Sequence, residues 1–143
     1  MRGPIPRLRS DVVAAAARQA GFMYSPQVLD HFEHPRNPGA VEDPDASVQI
    51  ENPACGDILK LTLRLSNGRI EKIRFLARGC VASMACASAL TELVSGKTVE
   101  QARKLNTEDV LAAVGGLPPA SSHAAHLAID TLAAALKQLE GKT

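Results

Sequence analysis

From Ile58 to Leu65 the chain alternates without a break, with Leu59, Leu61, Leu63 and Leu65 on one side and Lys60, Thr62 and Arg64 on the other. A period of two is the pattern of a strand with one buried face. Ser66-Asn67-Gly68 follows, and Asn-Gly is a strong hairpin signal because both residues accept the backbone angles of a tight turn. Arg69 to Leu76 then reads as the returning strand, with Ile70, Lys72 and Arg74 interleaved with polar and apolar neighbours. Together they predict an antiparallel hairpin. Ser47 to Glu51 predicts a shorter strand ahead of it, after an acidic, irregular stretch at 40–46.

Beyond Gly79-Cys80 the period changes to a helical one. Val81 to Ser95, rich in Ala, Leu and Met, predicts a buried helix closed by Gly96. Thr98 with Gln101 forms a capping box for a short helix. Thr107 to Val114 predicts another, capped by Thr107 and carrying Glu108 and Asp109 in its first turn, where negative charge suits the helix dipole. After the Gly115-Gly116-Leu117-Pro118-Pro119 loop, Ser121 or Ser122 caps a last helix running to about Glu140, with Ala128, Ile129, Leu132, Leu136 and Leu139 as its apolar stripe. Near the start, Tyr24 to Glu33 predicts a helix with Ser25 as cap, Pro26 at its first position and Val28, Leu29 and Phe32 inward. His34-Pro35-Arg36-Asn37-Pro38-Gly39 ends it. Strands followed by helices predict an α+β fold, a three-stranded antiparallel sheet with helices packed on one face.

Composition narrows the function classes. The 143 residues fit one domain, and a net charge of +1 with 3% aromatic content and no Trp gives no pull toward nucleic acid. No apolar run is long enough to span a bilayer. Three cysteines do not make a disulfide framework, so the expected compartment is reducing and cytoplasmic. Residues 1–22 stand apart, with four arginines against the single acid Asp11, a net +3 that leaves the remainder at −2. We expect this stretch to be an N-terminal extension, flexible or a misassigned leader, ahead of a domain at 23–143.

The candidate chemistry lies at the ends of the apolar runs. In Asn52-Pro53-Ala54-Cys55-Gly56-Asp57 the cysteine and carboxylate flank a glycine, so both side chains can leave one tight bend together. Cys80 sits where a strand gives way to a helix, and the N–H groups of a helix start favour a thiolate. A carboxylate and two thiolates are metal-ligand chemistry. Cys86 lies six residues, roughly 600° of helical rotation, beyond Cys80, which points it elsewhere as a small buried hydrophobe. His123 and His126 lie one helical turn apart at the start of the last helix. His123 is the stronger ligand candidate and His126 a weak one. His31 and His34 lie near the end of the first helix, where a cation suits the dipole, and carry no expected chemistry.

These residues in this order resemble the iron–sulfur cluster assembly scaffolds, the IscU family and the amino-terminal domain of NifU, over nearly everything from Met23 onward. Asn52-Pro53-Ala54-Cys55-Gly56-Asp57 resembles the family's first cysteine motif and Gly79-Cys80-Val81-Ala82-Ser83 its second. Leu117-Pro118-Pro119 with His123 resembles the approach to its third. The resemblance implies an IscU-like fold and a scaffold, not an enzyme. Such a scaffold assembles a transient [2Fe–2S] cluster from iron and from sulfur delivered by a cysteine desulfurase, then hands it to acceptor proteins. It implies Cys55, Asp57, Cys80 and His123 as ligands, with Asp57 keeping the cluster labile, and Leu117, Pro118 and Pro119 as a partner-binding segment. The same donors would accept Zn²⁺.

Two departures bear on that implication. The family's third cysteine follows the histidine immediately, and here that position is Ala124. The chaperone-binding segment continues with Val-Lys in the family but with Ala120-Ser121 here, which puts chaperone recognition in doubt. The interval from Cys80 to His123 lacks room for the insertion of the related zinc-dependent sulfur-transfer proteins. Two other readings stand beside the scaffold: a zinc- or iron-binding relative that regulates a desulfurase, and a sulfur-transfer protein using a persulfide on Cys55 or Cys80.

Overall fold

The structure is a computed structural model that describes residues 24–53 and 56–140. The predicted extension at 1–22 and Cys55 lie outside the described residues. In chain order the elements are α1 (Pro26–Glu33), β1 (Ala46–Glu51), β2 (Ile58–Ser66), β3 (Arg69–Arg78), α2 (Val81–Val94), α3 (Val99–Arg103), α4 (Thr107–Ala113), a short 3-10 turn (Pro119–Ser121) and α5 (His123–Glu140). The strands form one antiparallel sheet in the order β1-β2-β3. Helices α2 and α5 pack against it, which gives the predicted α+β architecture.

The leucine alternation of β2 decides which face is inside. Leu59, Leu61 and Leu63 are buried with Ile73 and Phe75 of β3, against Ala85, Ala89, Leu90, Ala128, Leu132 and Leu136 of the two long helices. The small residues of α2 let helix and sheet approach closely. The opposite face is not uniformly wet. Val41 N donates to Thr62 Oγ1 at 2.8 Å, and Thr62 is buried beneath that loop.

β3 departs from simple alternation. The pairing slips between Arg64 and Leu65, where Arg64 faces Lys72 but Leu65 faces Ile70. An extra residue in one strand flips the faces beyond it. Ile70 is therefore inside together with Ile73 and Phe75, while Glu71, Lys72 and Arg74 are exposed. The strand also runs two residues past Leu76, as far as Arg78.

Helix ends follow local chemistry, with corrections at α4 and α5. Ser25 caps α1 by accepting from Val28 N at 3.0 Å, and Thr98 with Gln101 makes both bonds of the predicted capping box. The cap of α4 is Asn106, not Thr107. Asn106 Oδ1 accepts from Asp109 N at 3.0 Å and Asp109 Oδ2 accepts from Asn106 N at 2.9 Å. At the start of α5 the two serines turn elsewhere: Ser122 Oγ donates to Pro119 O at 3.0 Å, and Ser121 Oγ lies 3.5 Å from Tyr24 Oη.

His31 is a further correction, because it is buried and its burial disfavours the cation. Its Nδ1 lies 2.7 Å from Ser88 Oγ, which also accepts from Arg36 N at 2.8 Å, and its Nε2 lies 3.6 Å from Glu92 Oε1. Burial pushes the His31 imidazole below its ordinary value and the Arg36 charge adds to this, with Glu92 and Asp30 opposing. The neutral ring fits the hydrogen bonds: Nδ1 accepts from the serine hydroxyl and Nε2–H points to Glu92. These contacts fasten α1 to α2.

Candidate metal centre

The β2–β3 register builds the site. Ile58 pairs with Arg78, so the residues just outside the ladder, Asp57 and Gly79, face each other, and Cys80 follows as the N-cap of α2. The turn before β2 is closed by Gly56 N donating to Asn52 O and Asn52 N donating to Asp57 O, both at 2.7 Å. Gly56 adopts φ +77°, as its place between Cys55 and Asp57 anticipates. Helix α5 begins beside this corner with His123.

Asp57, Cys80 and His123 each offer one ligand atom, all within 4.8 Å of one another. Asp57 Oδ2 lies 3.3 Å from His123 Nε2 and 3.7 Å from Cys80 Sγ. Donors on one tetrahedral Zn²⁺ at ordinary bond lengths stand roughly 3.3–3.7 Å apart, and the Asp57–His123 and Asp57–Cys80 separations fall in that range. Asp57 is 4% exposed while His123 keeps 34% of its side chain in solvent. The centre is thus anchored inside and open at its histidine edge.

Gly79 is required by this packing. It has φ +153°, and a Cβ there would lie 2.3 Å from Asp57 Oδ1 and 2.6 Å from Asp57 Cγ. Ser83, on α2, closes the other side. Its hydroxyl donates to Asp57 Oδ2 and lies 3.4 Å from Cys80 Sγ. In the sequence Ser83 stands out only as the last residue of the Gly79-Cys80-Val81-Ala82-Ser83 motif. Its spacing of three from a helix-start cysteine, which puts both on one side of the first turn, is the signal that could have singled it out.

The other candidates separate. Cys86 is fully buried in the core, where burial pushes its thiol up to about 12 and the charge of Cys80 adds to this. His126 is exposed and stands outside the three-donor group, lining a groove of about 280 Å³ with Glu51, Asn52 and Asp130. Ala124 is buried and has no donor atom. Among the described residues, no helix is long and apolar enough to cross a membrane.

Fold and site together define an α+β protein whose sheet end, helix start and last helix bring together an oxygen, a sulfur and a nitrogen donor that could hold a metal ion. The chain belongs to the NifU-like N terminal domain family, which matches residues 23–143. It is 43% identical over 114 residues to iron–sulfur cluster assembly scaffold protein IscU 1 of Archaeoglobus fulgidus, covering 80% of this chain and 74% of that protein. It is 42% identical over 118 residues to the scaffold protein IscU of Aquifex aeolicus, covering 81% and 75%. The N-terminal part of a nitrogen-fixing NifU-like protein from Brucella abortus has the same fold, with a TM-score of 0.68 at 20% identity, covering 85% of this chain and 96% of that one.

Proposed function

We propose that this chain is an iron–sulfur cluster assembly scaffold, a carrier that holds iron and sulfide while a [2Fe–2S] cluster forms and then releases it to acceptor proteins. The observation that carries the reading is the convergence of Asp57, Cys80 and His123 within 4.8 Å at a partly open corner of the fold. Cys55, two residues before Asp57 in the sequence, is the residue we assign as the second thiolate. Cys80 and Cys55 would hold the cluster most firmly. Asp57 and His123, with an oxygen and a nitrogen where iron–sulfur sites usually have sulfur, would hold it less tightly and ease its release. Leu117, Pro118 and Pro119 lie just ahead of His123 and are the segment we assign to partner binding. The expected partners are a cysteine desulfurase and apo-acceptors. The persulfide sulfur arriving from a desulfurase needs two electrons per atom to become sulfide, and an external donor supplies them.

The spacing of the three donors also favours a second occupant, a single Zn²⁺ in place of the cluster. Both readings are separated by measuring iron, zinc and acid-labile sulfide per chain on protein purified without oxygen and reconstituted with a desulfurase. Near-equal iron and sulfide supports the scaffold. Stoichiometric zinc that excludes sulfide even after reconstitution overturns it in favour of a zinc-binding relative.

A further inference from the structure

The carboxylate of Asp57 has no freedom to choose its orientation. Its Oδ1 edge is pressed against the Cα of Gly79, where not even a methyl group would fit. Its Oδ2 meets the Ser83 hydroxyl, His123 Nε2 at 3.3 Å and Cys80 Sγ at 3.7 Å. Ser83 is itself 5% exposed and sits in the first turn of α2, three residues after Cys80. A serine hydroxyl carries one proton and two lone pairs. With the proton directed to Asp57, the oxygen is left to accept from the Cys80 thiol 3.4 Å away in the metal-free protein. One buried hydroxyl therefore touches two of the three ligand atoms and ties them to a single rigid helix turn.

We infer that Ser83 is a positioning residue of the metal centre, holding the Asp57 carboxylate so that its Oδ2 faces the ion beside Cys80. This rests on the metal-centre reading above. Groups that orient metal ligands in this way change affinity by about 10–100-fold when removed. An alanine at 83 leaves the helix intact, since Ala is the best helix former and the lost atom is a single oxygen. Without the hydroxyl, Oδ2 loses the donor that orients it toward the site.

The test uses the full chain titrated with Co²⁺, whose visible ligand-field bands report the geometry and identity of its donors. Ser83→Ala is expected to weaken Co²⁺ binding at least tenfold and to shift those bands. Ser83→Thr, which keeps the hydroxyl, restores both. A merely structural serine would alter the unfolding midpoint but not the band positions of the loaded protein. Wild-type and Ser83→Ala proteins with the same affinity and the same spectrum overturn the inference while leaving the metal centre standing. A wild-type protein that takes up no Co²⁺ overturns the centre and the inference with it.

Discussion

A methyl group at position 79 would meet the Asp57 carboxylate at 2.3 Å, and Asp57 cannot retreat because Ser83 holds its other oxygen. Gly79→Ala is expected to destabilise the fold by about 2 kcal/mol, from backbone strain and the clash together, and to abolish tight Zn²⁺ binding. Urea unfolding of the metal-free protein and a Zn²⁺ titration check the two halves separately. The glycine before Cys80 was visible in the chain, but the chain gave no reason for it, since the atom it avoids belongs to a residue 22 positions earlier. Cys86 shows the opposite case. Its helical offset from Cys80 already turned it away from the site, and the core around it raises its thiol to about 12.

Elements were legible wherever local chemistry decides them. The β2 alternation, the Asn67-Gly68 turn and the Thr98–Gln101 box all stand where the pattern puts them. The start of α4 was displaced by one residue because Asn106 and Thr107 are both good caps, and the choice falls to the residue with an acid three positions on. Asn106 has Asp109, and the two close a reciprocal box. Asn106→Ala is therefore expected to lower stability by about 1 kcal/mol, and Thr107→Ala, a substitution inside the helix, to change it by less than half of that. Chemical denaturation of the two variants distinguishes them. The facing of β3 was not legible, because one slipped pair between Arg64 and Leu65 moves Ile70 to the inner side, and the slip belongs to the pair of strands.

At the scale of the whole molecule, the first helix is locked on through His31. Its depressed value means that the unfolded chain binds a proton at a pH where the folded chain does not. This contribution to stability is complete above the ordinary value of 6.5 and is lost as pH falls from there through the lower folded value. Wild-type stability should thus decline more steeply below about pH 6.5 than that of His31→Gln, which keeps a hydrogen-bonding group without the titration. Urea midpoints measured from pH 7.5 to 5 check the difference between the two proteins.

Sequence by itself determined most of the elements and the fold class, and it named the candidate donors, because strand alternation, capping and turn chemistry act over a few residues. It also placed Cys80 at a helix start, a property of its immediate neighbours. Tertiary structure decided which donors meet. Asp57, Cys80 and His123 come from three separate parts of the chain, and the β2–β3 register with the docking of α5 brings them within 4.8 Å. His126 fell outside this group although it lies one turn from His123, since the side of α5 that faces the sheet is fixed by packing. The burial of His31 and the contact of Ser83 with two ligand atoms were decided the same way, by surfaces that exist only once the helices pack on one another and on the sheet.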